Sequence, residues 1–140
     1  MVLDLSSLAK SIVALEKSVQ FLTTSDEMKL LSLDAQETIK SGVIQNFEVA
    51  YEQSWKMMKR WLETNVGSTQ IDGVSRRELF RVAAESLLIK NVDQWMDFHR
   101  ARNETSHSYD GTIAQDVIDV ALVFVSEAQT LLRNLENHND

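Results

Sequence analysis

One short stretch of this chain gathers most of its chemistry: His99-Arg100-Ala101-Arg102-Asn103-Glu104-Thr105-Ser106-His107-Ser108-Tyr109-Asp110-Gly111. Eight of these 13 side chains ionise or hydrogen-bond strongly: His99, Arg100, Arg102, Asn103, Glu104, His107, Tyr109 and Asp110. A guanidinium suits bidentate contact with a phosphate, and an imidazole exchanges protons near neutral pH. Together they offer one group to hold an anion and one to move a proton. His99, Arg102 and Asn103 share a helix face through their spacing of three and four. That face continues the apolar line of Val92, Trp95 and Met96, so it points an arginine where core or interface residues belong. Burying an arginine without a partner is costly. Either a carboxylate such as Glu48 or Glu52 satisfies Arg102 within a structural hydrogen-bond network, or the face lines a polar cleft.

The elements that must hold this stretch are helices. The 140 residues include no proline and only 4 glycines, which leaves little of the punctuation that sandwiches and barrels use. Leu5, Leu8, Ile12, Leu15, Val19 and Leu22 predict a first helix over about residues 4–23. Residues 26–34 read as a short helical link capped by Ser25. Ile39, Val43, Phe47, Ala50, Ser54, Met58 and Trp61 predict a second, long helix from about Asp34 to Thr64. The stretch from Asn65 to Val74, with Gly67 and Gly73, reads as the main loop. Ser75-Arg76-Arg77-Glu78 is a capping box opening a third helix to about Ile89, with Leu79, Val82, Ala83, Ser86 and Leu87 inward. Asn91 opens a fourth helix through Trp95 and His99, and Thr112-Ile113-Ala114-Gln115 caps the last. Ile113, Val117, Val120, Phe124, Ala128, Leu131 and Leu135 form that helix's inner stripe, and Asn137 to Asp140 should fray. The expected fold is all-α: an antiparallel up-and-down four-helix bundle with one or two short extra helices, residues 1–140 forming a single domain.

Composition excludes several functions. With no cysteine there is no disulfide, thiolate metal site or cysteine nucleophile. His99, His107 and His138 include no close pair at ligand spacing, so neither a metal nor a cofactor is expected. Residues 56–102 carry nine basic and six acidic side chains and are +3; the remainder is −10, for a net −7. Such a balance disfavours nonspecific nucleic-acid binding but leaves room for a small basic surface. Trp55 and Trp61 beside Lys56, Lys59 and Arg60 could stack on bases, or be core and rim of a long helix. Met57 and Met58 read as gap-fillers. The start, Met1-Val2-Leu3-Asp4, has no basic leader, and the longest apolar run, Val120 to Val125, is too short to span a bilayer. A cytoplasmic protein without membrane contact is expected.

Arg102-x4-His107-x-Tyr109 matches the R-x4-H-x-Y signature of HEPN-domain proteins of the HepT type, also known as nucleotidyltransferase substrate-binding proteins. Gln45-Asn46-Phe47-Glu48-Val49-Ala50-Tyr51-Glu52-Gln53-Ser54-Trp55-Lys56 resembles the family's aromatic-glutamate segment. Ser75-Arg76-Arg77-Glu78-Leu79-Phe80-Arg81 resembles its next helix start, and Trp95 precedes the signature in the same order. The resemblance covers roughly residues 35–125. It implies a helical homodimer whose two R-x4-H segments meet in one cleft. It also implies a partner, a small nucleotidyltransferase of the MntA type. In toxin members the cleft cleaves RNA without a metal, and the partner acts as antitoxin by transferring AMP to the signature tyrosine. Carried over, Arg102 would hold the scissile phosphate, His107 would act as general acid or base, Asn103 would orient substrate or Arg102, and Tyr109 would be the AMPylation site. The alternative is a non-catalytic, nucleotide-binding substrate subunit of a two-component nucleotidyltransferase. The chain has neither a Gly-rich phosphate loop nor the Gly-Ser and paired-carboxylate pattern of nucleotidyl transfer, so it should not transfer nucleotides itself.

Overall fold

The computed structural model describes residues 2–139, and within them every regular element is helical. The elements are α1 (Ser6–Thr24), a 3-10 turn (Asp26–Leu30), α2 (Leu33–Leu62), a wide π turn (Glu63–Gly67), α3 (Ser68–Ile71), α4 (Arg76–Glu85), α5 (Val92–Glu104), a 3-10 turn (Thr105–His107) and α6 (Gly111–Asn137). No helix of the described residues is long and apolar enough to cross a membrane.

The long helices bury the stripes their spacing predicts. Leu8, Ile12 and Leu15 of α1 pack with Val43, Phe47, Ala50 and Met58 of α2 and Val117, Phe124, Ala128, Leu131 and Leu135 of α6 in one core. α2 packs on α1, α5 and α6, while α6 packs on α1, α2 and α5. Helix directions follow from paired residues. Glu16 meets Gln129 and Leu3 meets Asn139, so α1 and α6 run oppositely. Tyr51 meets His99 and Glu48 meets Thr105, so α2 and α5 do too. Phe47 lies against Phe124, and Trp61 donates to the His138 carbonyl, so α2 and α6 share one direction.

Phe124 is the hub beneath the polar stretch. Its ring meets Phe98 at 5.0 Å, Phe47 at 5.3 Å and Trp95 at 5.7 Å, all edge to face. Such pairs contribute about 0.5–1.5 kcal/mol each beyond burial. Three helices are thereby locked at one level, which sets the height and rotation of α5 against α2.

Several local expectations need correction. The stretch 65–74 is not one loop: the π turn and α3 carry helical backbone to Ile71, which is fully buried. The break falls at Gly67, whose φ of 134° suits glycine and strains other residues. α4 ends at Glu85 rather than near Ile89. Leu87 adopts φ 64° and is 76% exposed, whereas Leu88 and Ile89 turn inward and Phe80 joins the core. Asp110, not Thr112, caps α6, its carboxylate accepting from the amides of Thr112 and Ile113. The tail to residue 139 is tied down: Leu3 N donates to Asn139 Oδ1 at 2.8 Å, and Asn139 Nδ2 donates to the Leu3 carbonyl at 2.9 Å. Asp140 lies outside the described residues.

Candidate active site

The site grows from the register of α5. Asn91 caps the helix by accepting from the Gln94 amide, and Trp95, Phe98 and Ala101 are buried. That rotation leaves His99 and Arg102 half-buried against α2, while Asn103 is exposed. The expected shared face is therefore split: its inner edge is His99 and Arg102, and Asn103 lies on the rim.

Arg102 finds both carboxylates named from the sequence. Its Nε donates to Glu52 Oε1 at 2.9 Å, and a terminal nitrogen lies 3.4 Å from Glu48 Oε2. Glu52 Oε2 also accepts from Trp55 Nε1 at 3.1 Å, with Lys56 Nζ 3.9 Å away. The Thr105 hydroxyl lies 2.8 Å from both Glu48 Oε2 and the Arg102 carbonyl, pinning the last turn of α5 to α2.

A second chain of bonds lies one turn away. The Tyr51 ring is fully buried, and its hydroxyl lies 2.9 Å from His99 Nδ1 and accepts from Arg76 at 3.2 Å. Burial pushes the Tyr51 phenol up to about 12, against the opposing pull of Arg76. The phenol therefore keeps its proton at neutral pH and stays hydrogen-bonded to Nδ1. His99 is lowered below its ordinary value, by burial first and by the charge of Arg76 next, so at neutral pH its ring is uncharged. Asn103 Nδ2 lies 3.4 Å from His99 Nε2, so the carboxamide reaches the rim side of that ring.

His107 sits exposed on the Thr105–His107 turn, and its ring lies 6.3 Å from that of Tyr109 at an interplanar angle of 68°. Tyr109 is 87% exposed. Within the described residues no hydrogen bond joins His107, Asn103 or Tyr109 to Arg102. A single chain thus brings Arg102 to Glu48 and Glu52, and His107 to Tyr109, as two adjoining pairs along one short segment. Trp55 and Trp61 are half-buried with their indole N–H groups bonded to Glu52 and the His138 carbonyl, as rim residues of a long helix would be.

Tyr51 and Arg76 are the members of the site that spacing alone misses. Tyr51 falls within the apolar period of α2 and Arg76 within a capping box, so each has a complete local explanation. The signal that finds them is His99, a half-buried imidazole that needs a partner on a neighbouring helix.

A family model for nucleotidyltransferase substrate-binding-like proteins matches residues 3–137. The chain belongs to this nucleotidyltransferase substrate-binding protein family. A member from Haemophilus influenzae named probable ribonuclease HepT is 31% identical over 138 residues, covering 98% of this chain and 94% of the relative. A solved Haemophilus influenzae structure, described as the fold of a substrate-binding domain of a nucleotidyltransferase, matches with a TM-score of 0.91 and 30% identity. That match covers 95% of this chain and 99% of the other. The resemblance read from residues 35–125 thus extends over nearly the whole chain, α1 included, in a HepT-like nucleotidyltransferase substrate-binding protein.

Proposed function

We propose that this chain is a metal-independent ribonuclease toxin of a HepT/MntA-type toxin–antitoxin pair, silenced when a partner nucleotidyltransferase transfers AMP to Tyr109. One observation carries the reading: His107 and Tyr109 stand exposed together on the turn that directly follows the Arg102 helix. In this reading Arg102 holds the scissile phosphate and its developing charge. His107 takes the proton of the ribose 2′-hydroxyl or gives one to the leaving oxygen. Asn103, exposed on the rim, orients the substrate or Arg102. The fold is a single-domain antiparallel four-helix bundle of α1, α2, α5 and α6, and it acts as a cytoplasmic homodimer pairing two Arg102–His107 segments. AMP on Tyr109 sets an anion beside Arg102 and occupies the phosphate position.

A second reading draws on a specific contact: Arg102 is already met by Glu48 and Glu52. A guanidinium so engaged suits a structural role, with the chain serving as the non-catalytic, nucleotide-binding subunit of a two-component nucleotidyltransferase. Incubation of purified protein with labelled RNA and EDTA separates the two, with mass spectrometry reporting the state of Tyr109. Cleavage lost in both Arg102→Ala and His107→Ala supports the ribonuclease. No cleavage by unmodified protein supports the binding subunit.

A further inference from the structure

Arg76 is the first residue of α4, and it is half-buried. Its guanidinium carbon lies 3.6 Å from the centre of the Trp55 ring, and one N–H donates to the Tyr51 hydroxyl. Stacking of this kind holds a guanidinium in place over the ring face. Arg102 beside it is matched by two carboxylates, yet Arg76 has no carboxylate partner and no other protein acceptor within the described residues. Glu52 is engaged by Arg102, Trp55 and Lys56, and Glu48 by Arg102 and Thr105. Arg76 is therefore a cation fixed in position before any anion arrives.

Its location gives that cation a use. The Tyr51 hydroxyl touches both Arg76 and His99, and His99 touches Asn103, the neighbour of Arg102. Arg76 and the Arg102 segment are thus joined through one chain of contacts. Two guanidinium groups on one connected network offer a contact to each of two phosphates along a strand. Arg76 covers one face of Trp55, and a guanidinium on a phosphate reads backbone and not sequence.

We propose that Arg76 is a second phosphate contact, which takes a phosphodiester of a single-stranded RNA flanking the one held at Arg102. The proposal rests on the ribonuclease reading, and its test separates the two. A labelled single-stranded RNA oligonucleotide is titrated by fluorescence anisotropy with the full chain carrying His107→Ala, which prevents cleavage, between about 50 and about 200 mM salt. Arg76→Gln keeps an N–H for Tyr51, and Arg76→Met keeps the stem on Trp55. Each should weaken binding severalfold and flatten the salt dependence by about 0.7, the share of one single-strand phosphate. Arg76→Lys should restore the slope, and Arg77→Gln, which removes an exposed neighbour paired with Asp93, should leave it unchanged. An unchanged slope in either neutral Arg76 variant with parental circular dichroism overturns the contact, as does an equal drop in Arg77→Gln. If the His107→Ala parent itself shows no salt-dependent RNA binding, the ribonuclease reading falls, and this contact falls with it.

Discussion

Replacing Glu52 with glutamine should make the protein less stable and bind RNA more tightly. Arg102 Nε donates to Glu52 Oε1 at 2.9 Å, and the two side chains are 31% and 28% exposed, so the bond is only partly screened. A hydrogen bond to a charged group contributes about 1.5–3 kcal/mol, against about 0.5–1.5 for a neutral one. The glutamine keeps the shape but loses the charge, and it has one carbonyl oxygen for two donors, Arg102 Nε and Trp55 Nε1. The cost is about 1–2 kcal/mol, a fall in melting temperature of several degrees. The contact with Glu48 is longer at 3.4 Å, and that carboxylate is 37% exposed, so it should hold Arg102 less firmly. A carboxylate on Arg102 also competes with any phosphate that approaches it. Removing about 1 kcal/mol of that competition should tighten RNA binding about fivefold. Thermal melting and anisotropy on Glu52→Gln, in the His107→Ala background, read the two effects separately. If affinity falls along with stability, the carboxylate aims Arg102 at phosphate rather than competing for it, and the reasoning fails.

Three further outcomes are expected. Tyr51→Phe removes the buried hydroxyl between His99 and Arg76 and should cost about 1–3 kcal/mol in urea denaturation; a loss near zero would show that water replaces it freely. His99 titrates below its ordinary value through burial and Arg76, with Arg102 adding to the shift and Glu52 opposing it. The folded chain therefore takes up this proton at lower pH than the unfolded chain, so His99's contribution to stability is present above about pH 6.5 and lost as pH falls through the folded value. Wild type should lose more stability than His99→Gln on acidification from about pH 7 to about pH 5, and equal losses contradict the assignment. Leu87→Gly relieves a left-handed residue whose side chain is largely exposed. It should raise stability by up to about 1 kcal/mol, and a lower melting temperature would mean that the Leu87 side chain contributes packing.

Periodicity carried the long helices because each buries one continuous stripe, as Phe47 and Phe124 do at the hub. It failed where the backbone departs from a regular helix. Nothing local announces that Leu87 turns left-handed, since the gain lies in sending Leu88 and Ile89 into the core. Asp110 and Thr112 are both good caps, and only the path out of the Thr105–His107 turn decides between them. The pairing of Arg102 with Glu48 and Glu52 was legible because burial of a charge demands a carboxylate, and α2 offers two at helical spacing. Arg76 was not, because contacts across three helices, α4, α2 and α5, define its role.

The stitch between Leu3 and Asn139 has a practical consequence. It holds the two ends of the described chain side by side at the C-terminal end of α6. α6 spans 27 residues, a rod of about 40 Å that starts two residues after Tyr109. A surface anchor or fluorescent label joined at either end would therefore leave from the pole opposite His107 and Tyr109. Immobilised in that way, the molecule would present Arg102, His107 and Tyr109 outward to whatever flows past.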